Sequence, residues 1–287
     1  MSERLKVDAP APLLAFLRSN LDSWAVRTLK MRLRLGCVQV NGNPARRHDH
    51  ALQVGDLVEI VARGDGEQTP QNRVPFTVLF SDDELIAIDK PAGLLSVASE
   101  RDRRRTALAL VRDSLSTPEH QASLWPVHRL DRETSGVLLF ARSREICDAL
   151  QDSWAKAQKT YLAVVDGHPQ PSEGLIDEPL WEDQSLNVRV GRRPDAKDAR
   201  TRFVTRDRGR WRALLEIELL TGRRHQIRAH LAWIGHPVTG DRRYGAAGPR
   251  MGLHALRLCV THPVTDSELV LEAPLPKVFS ALLAGRV

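Results

Sequence analysis

The chain has 287 residues, more than one compact domain usually holds, and its 42% hydrophobic and 27% charged residues with a mean hydropathy of −0.32 exclude disordered and collagen-like architectures. Lys and Arg number 42 against 36 Asp and Glu, a formal charge of +6 that favours a polyanionic partner without requiring one. Three cysteines with no C-x-x-C pairing exclude a disulfide framework and a cysteine-built zinc site, and no run approaches the roughly 20 apolar residues of a membrane span.

In chain order, residues 11–60 open with an apolar helix in LLAFLRSN, a bend over Asn20 to Ser23, and a second helix in WAVRTLKMRLRLG that ends at Gly36. On the second helix Val26, Leu29 and Leu33 share one face and are expected inward. Arg27, Lys30 and Arg34 form a basic stripe about 100° round the axis. Strands CVQVNG and DLVEIVA follow, the first closed by an Asn41-Gly42 turn of hairpin type. Between 22 and 50 there are six Lys or Arg against Asp22 and Asp49, although a charged stripe by itself also reads as a solvated helix face. Residues 62–75, ARGDGEQTPQNRVP, carry almost no apolar side chain and read as a linker.

From Pro75 the pattern predicts strand VPFTVLFSD, a turn at Asp82-Asp83, strand ELIAIDKP and a turn at Pro91-Ala92-Gly93. A basic stretch from Arg101 to Arg105, a helix, the segment HRLDRETSGVLLFAR, a helix from Ser143 to Ala157 and strand TYLAVVDG come next. The irregular order and hairpin-like spacing predict an α+β fold, a mixed, mostly antiparallel sheet with flanking helices and a small N-terminal α/β module, rather than a doubly wound parallel sheet. No G-x-G-x-x-G or P-loop appears, so no nucleotide cofactor is expected. Residues 189–212 hold ten Lys or Arg against three Asp, which reads either as a solvated hairpin or as a hairpin insertion that contacts a polyanion.

Two segments carry chemistry. In His128-Arg129-Leu130-Asp131-Arg132-Glu133-Thr134-Ser135-Gly136 a carboxylate is bracketed by arginines ahead of an apolar strand, which puts Asp131 in a loop at a sheet edge. Taken alone it reads as a turn cap with surface charges. The second is Thr221-Gly222-Arg223-Arg224-His225-Gln226-Ile227-Arg228-Ala229-His230-Leu231, followed by Gly235-His236-Pro237 and Gly240-Asp241. Residues five apart on a helix differ by about 140°, so His225 and His230 do not share a face and a metal site is not expected. A helix starting near Thr221 or Arg223 turns Ile227, Leu231 and Ile234 inward and lines up Arg224 with Arg228, either of which could reach a buried carboxylate elsewhere in the fold.

These pieces resemble the RluA-type pseudouridine synthases. The resemblance rests on Lys90-Pro91-Ala92-Gly93 after a strand, the H-R-L-D-R-x-T-S-G-x-L-L-F-A loop, Lys159-Thr160-Tyr161-Leu-Ala-Val-Val-x-Gly, T-G-R-x-H-Q-I-R-x-H-L-x-x-x-G-H-P-x-x-G-D, and a tail over 253–276, together covering about 75–287. It implies an isomerase that breaks the N-glycosidic bond of a uridine, turns the uracil and rejoins it through carbon, with no cofactor or metal. Asp131 is implied as the nucleophile, on the ribose or on the ring, and Arg228 as its counter-cation. Tyr161 is implied as the aromatic that stacks on the base and takes its proton, Ile227 as the pocket floor, and Arg129 as the side chain filling the space of the flipped uridine. His128 is expected to shape the loop, and Lys90 either to line the cleft or to form a surface salt bridge.

The N-terminal pattern, two helices, Gly36, a strand ending V-N-G, then G-D-x-V-E-I, resembles the alpha-L RNA-binding motif, in which a basic helix and hairpin grip folded RNA. That implies phosphate contacts from Arg27, Lys30, Arg34 and Arg46. The expected organisation is a binding module over 1–63, a linker over 64–74 and a catalytic domain over 75–287. The expected partner is RNA, ribosomal RNA favoured over tRNA because RluA-type members with this module typically act there. A cytoplasmic monomer without membrane contact is expected, the N-terminal MSERLKVDAPAPLL having no signal-peptide core. A noncatalytic RNA-binding factor would be signalled by a changed Asp131 or Tyr161, and both are present. A glycoside hydrolase needs paired carboxylates, and Asp131 has only Glu133 nearby.

Overall fold

The computed structural model describes residues 3–21, 24, 26–34, 38–45, 47–60, 76–98, 106–116, 121–185 and 187–286. The expected linker over 62–75, the stretch from Arg101 to Arg105, Gly36 and Arg46 lie outside these. The chain divides into two compact units, 1–69 with 262–267, and 70–261 with 268–287.

The first unit contains β1 (Glu3–Lys6), β2 (Ala11–Pro12), α1 (Leu13–Asn20), α2 (Val26–Arg34), β3 (Val38–Val40), β4 (Asn43–Pro44), β5 (Ala51–Leu52) and β6 (Leu57–Ile60). A four-stranded sheet in the order β1-β6-β3-β4 is joined by a two-stranded β2-β5 pair. Asn41 and Gly42 both have positive φ, 53° and 79°, as a two-residue hairpin turn between β3 and β4 requires. The Asn41 side chain fixes that turn to β6, accepting from the Leu57 N–H at 2.8 Å and donating to Asp56 at 2.8 Å. Leu29 and Leu33 of α2 are buried with Leu13, Leu17, Val38 and Val58, as their spacing predicts. Val26 is 38% exposed, against expectation, because the first residue of the helix projects past the end of the packed face.

The second unit contains β7 (Val78–Ser81), β8 (Leu85–Lys90), α3 (Ala107–Leu115), β9 (Trp125–Pro126), β10 (Ser135–Ala141), α4 (Arg144–Asp152), β11 (Gln158–Asp166), β12 (Glu173–Asp177), β13 (Leu180–Glu182), β14 (Val188–Val190), β15 (Arg200–Arg208), β16 (Arg212–Leu219), α5 (Gln226–Trp233), β17 (Leu253–Thr261), β18 (Glu268–Glu272) and α6 (Val278–Leu283). Its main sheet runs β12-β15-β16-β11-β17-β10-β8-β7, with β18 beside β17 and β9 beside β10. The pairings are antiparallel except for β10 with β17, so the mixed, mostly antiparallel sheet expected from the sequence is the one observed. All seven residues of β10 are buried, which accounts for the unbroken apolar run VLLFA. Gly136 has φ 111°, and a Cβ there would stand 2.1 Å from the Ala255 carbonyl oxygen, so the close crossing of β10 on β17 requires glycine.

Two core clusters flank the middle of this sheet, one containing Leu215, Ile217, Ile227, Leu231 and Leu253, the other Ile88, Val111, Leu130, Leu138 and Phe140. Tyr161 packs against both and so stands at their seam. The helix expected over Ser143 to Ala157 ends at Asp152, followed by a 3-10 turn at Trp154–Lys156. Ser143 caps its start, its hydroxyl accepting from the Ile146 N–H at 3.3 Å, while the Ser153 hydroxyl turns back to the Ala149 and Leu150 carbonyls at 3.2 Å each and closes the last turn. The arginine-rich stretch spans β14, a loop, β15 and the start of β16 rather than one inserted hairpin. Its excess charge is partly neutralised by carboxylates outside it: Arg202 meets Glu218 at 2.6 Å, Arg206 meets Glu216 at 2.8 Å, and Arg189 meets Asp183 at 3.3 Å.

Candidate active site

Asp131 lies in the turn that leads into β10, and that turn is pinned from behind. The Ser96 hydroxyl donates to the Leu130 carbonyl at 2.8 Å and accepts the Leu130 N–H at 3.0 Å. The Gly93 N–H donates to the Arg132 carbonyl at 2.8 Å, and the Thr134 N–H to the Asp131 carbonyl at 3.1 Å. Lys90 belongs to the same support. It is fully buried, and its ammonium donates to the carbonyls of Pro91, Leu94 and Arg132 at 2.9, 2.8 and 3.2 Å. It therefore neither lines the cleft nor forms a surface salt bridge, contrary to both expectations. Burial pushes its pKa down to about 8, opposed by the charges of Glu133 and Asp131.

Across the cleft the segment 221–225 is a turn, and α5 begins only at Gln226. The reason is the buried Gln226 amide, whose oxygen accepts from the Thr221 hydroxyl and the Arg223 N–H, both at 2.9 Å, and whose nitrogen donates to the Arg200 carbonyl at 2.9 Å. Consequently Arg224 is not aligned with Arg228 along a helix; it turns away to Glu182 at 2.8 Å. His225 takes a left-handed backbone conformation, φ 51°, at the junction.

Arg228 is the arginine that reaches the carboxylate. Its Nη1 donates to Asp131 Oδ2 at 2.9 Å, while Nε and Nη2 grip the buried Asp241 at 2.7 and 2.8 Å. Burial works against the guanidinium charge, but the bonds and charges of Asp241 and then Asp131 outweigh it and leave its pKa raised. Asp241 is also opposed by burial, yet Arg228 and the N–H groups of Arg243 and Tyr244 hold its carboxyl below the usual range.

Asp131, Tyr161, Ile227, Arg228 and Arg129 line one narrow cavity of about 80 Å³, together with Leu219, Leu253 and His225. It adjoins a cleft of about 560 Å³ whose walls carry Arg129, Arg132, Arg224 and Arg243. Arg129 is exposed and borders both. The pairing of β11 with β17 slips register between Thr160 and Tyr161, and the Tyr161 side chain stands at the core seam. Burial, and then the charge of Asp131, raise its phenol. His128 lines neither cavity. Its Nε2 accepts from the Leu139 N–H at 3.2 Å, its ring stacks on Trp154 with centroids 5.1 Å apart, and burial lowers its pKa to about 4. His230 is buried against the Thr201 hydroxyl and the Glu178 carbonyl, apart from His225.

In the first unit Lys30 is exposed on α2; Arg27 and Arg34 are placed in that helix by their backbone, their side chains lying outside the described residues, as does Arg46 entirely. Sequence reasoning assigned no role to Asp241, His225 or Tyr244. A signal was present for Asp241, a carboxylate after a Gly turn in the same stretch of pattern as Arg228.

A mostly antiparallel sheet with an arginine-bound aspartate beside a half-buried tyrosine defines a class, the RNA pseudouridylate synthases, and residues 84–233 match that family. The chain is 33% identical over 293 residues to the ribosomal large subunit pseudouridine synthase D of Xanthomonas campestris, covering 94% of this chain and 85% of that protein. It is 34% identical over 211 residues to the dual-specificity RNA pseudouridine synthase RluA of Escherichia coli, covering 69% of this chain and 92% of that one. The fold is shared with the solved human RNA pseudouridylate synthase domain containing 4, with a TM-score of 0.60, 24% identity, and coverage of 73% of this chain and 93% of that one. The chain belongs to the RluA-type RNA pseudouridine synthases and is an isomerase acting on RNA. No helix among the described residues is long and apolar enough to cross a membrane.

Proposed function

We propose that this enzyme converts specific uridines of large-subunit ribosomal RNA into pseudouridine with Asp131 as nucleophile. One observation carries the reading: among the described residues Asp131 is the only carboxylate lining the narrow cavity, and its cation Arg228 is itself held by a second, buried carboxylate. A carboxylate withdrawn from water needs such a cation to stay charged while its lone pair remains available. Attack on the ribose forms a bond from Asp131 to C1′ as the C1′–N1 pair leaves with uracil. The turned uracil then attacks C1′ through C5, the electron pair returns to Asp131, and the C5 proton is lost. Addition to the ring uses the same carboxylate. Tyr161, with its phenol raised, is protonated in the resting site, so stacking on the base is the part it plays before chemistry begins.

Ribosomal RNA is favoured because the match to a relative named for the large ribosomal subunit runs over 94% of this chain, whereas the match to a dual-specificity relative covers 69%. In this reading residues 1–63 form the RNA-gripping module, with Arg27, Lys30, Arg34 and Arg46 on phosphates. The enzyme then works as a cytoplasmic monomer on folded RNA.

The test is a map of pseudouridines in ribosomal and transfer RNA from cells with the gene, without it, and with Asp131→Ala. The expected outcome is one or more ribosomal sites lost in both altered strains. Loss confined to tRNA moves the substrate there, and no loss at all in the deletion defeats the native role. A site lost in the deletion but kept with Asp131→Ala removes Asp131 from the chemistry.

A further inference from the structure

His225 stands beside Asp131 on the wall of the narrow cavity. Its Nε2 is 3.8 Å from Asp131 Oδ2, the same oxygen that receives Arg228, while Oδ1 accepts from none of the described residues. On its other side Nδ1 is 2.9 Å from the Tyr244 hydroxyl, with the two rings edge to face at 5.7 Å. The side chain is 11% exposed. The backbone is left-handed at this position, a conformation that non-glycine residues adopt where the surroundings hold them in it.

We propose that His225 is a positioning residue for the nucleophile: Tyr244 holds it as the Nε2–H tautomer, and that N–H joins Arg228 on Asp131 Oδ2 and leaves Oδ1 as the attacking atom. The proposal rests on Asp131 being the nucleophile. The tautomer follows from what the two ring nitrogens face. The Tyr244 hydroxyl, 2.9 Å from Nδ1, can give its hydrogen to that nitrogen and leave the ring hydrogen on Nε2. The opposite tautomer would aim a nitrogen lone pair at a carboxylate. Burial, helped by the charges of Arg228, Arg224 and Arg243 and opposed by Asp131, lowers the imidazole pKa to about 4, so the donor is neutral at physiological pH. A separation of 3.8 Å is longer than a hydrogen bond, and catalytic contacts commonly tighten when substrate fills the pocket.

The chemical consequence follows from where the electrons go. When Oδ1 attacks, its lone pair becomes the bond to substrate carbon and Oδ2 becomes the ester carbonyl. Arg228 and the His225 N–H then draw density toward Oδ2, which eases return of the bonding pair to Oδ1 in the second half of the reaction. A neutral second donor does this while taking less from the attacking oxygen than a second cation would.

The experiment has two readouts on the full chain. Nitrogen-15 NMR of labelled histidine reports the tautomer without RNA. Single-turnover release of tritium from uridine labelled at carbon 5, in total RNA from cells lacking the gene, reports chemistry. The expected results are an Nε2–H imidazole in the wild type, a shift toward Nδ1–H in Tyr244→Phe, and a maximal rate lowered about tenfold or more in His225→Leu. The half-saturating enzyme concentration should stay within about twofold, and His225→Gln, whose amide can donate from a similar place, should recover part of the rate. An Nδ1–H imidazole in the wild type overturns the proposal, as does a folded His225→Leu working at the wild-type rate. Retained activity in Asp131→Ala overturns the underlying nucleophile reading instead, and the tautomer measured without RNA keeps the two failures apart.

Discussion

Asp241 shows what a single residue contributes beyond the nucleophile. Arg228 spends three of its donors on two carboxylates, two of them on Asp241, whose side chain has no solvent exposure. Removing the Asp241 charge leaves a buried guanidinium with one partner and frees it to rotate away from Asp131. Asp241→Asn should therefore cost about 3 kcal/mol of stability and lower the single-turnover rate by about 100-fold. Urea unfolding and tritium release measure the two effects, and a variant unchanged in both would show that Arg228 is held by other means. The pairing of Asp131 with Arg228 was legible because both residues fall in extended patterns whose joint occurrence defines a site. Lys90 was misread for a physical reason: a lysine at a strand end normally reaches water, and only the convergence of three backbone carbonyls around it makes burial tolerable. Sequence records the lysine but not the carbonyls, which come from Pro91, Leu94 and the distant Arg132.

At the scale of elements, the strands were readable wherever one face or both were buried. The apolar runs VLLFA and LAVV match β10 and β11 because burial of those positions is what the pattern encodes. Helix boundaries failed where a side chain replaced a backbone bond. Gln226 starts α5 late by holding the preceding turn with its amide, and Ser153 ends α4 early with its hydroxyl. Neither effect has a periodicity. The charge of 189–212 is partly offset across the sheet, where Glu216 and Glu218 face Arg206 and Arg202 from the neighbouring strand. The crossing of β10 and β17 matters most for the site, because Asp131 stands four residues before the paired Ser135. Gly136→Ala forces a methyl group toward a carbonyl oxygen 2.1 Å away and a positive φ on an L residue. It should destabilise the protein by about 3 kcal/mol and reduce activity in proportion to the folded fraction, read by thermal melting alongside tritium release. A wild-type melting temperature would show that the crossing can open without loss.

At the scale of the whole molecule, three histidines give the second unit a sensitivity to mild acid. His128, His225 and His254 all belong to it, and in each case burial is the largest cause of a pKa lowered to about 4 from an ordinary 6.5. His254 is fully buried, with Nδ1 2.9 Å from the Ser135 hydroxyl at the β10–β17 crossing, and His128 accepts from β10 at Leu139. A charge on either ring would be set against the packing that frames Asp131. The sign is fixed by linkage: an unfolded chain takes up these protons as pH falls through 6.5, whereas the folded chain resists them until about 4. The stability that these three rings contribute is therefore full above pH 6.5 and is lost progressively between 6.5 and 4, where they bind up to three more protons in the unfolded chain than in the folded one. Urea midpoints measured at half-unit steps from pH 7.5 to 4.5 should fall steadily below 6.5, and His254→Gln should make the fall shallower by about one proton. Flat midpoints down to pH 5, before carboxylate protonation begins to contribute, would mean that the three rings accept protons in the folded state and that burial does not keep them neutral.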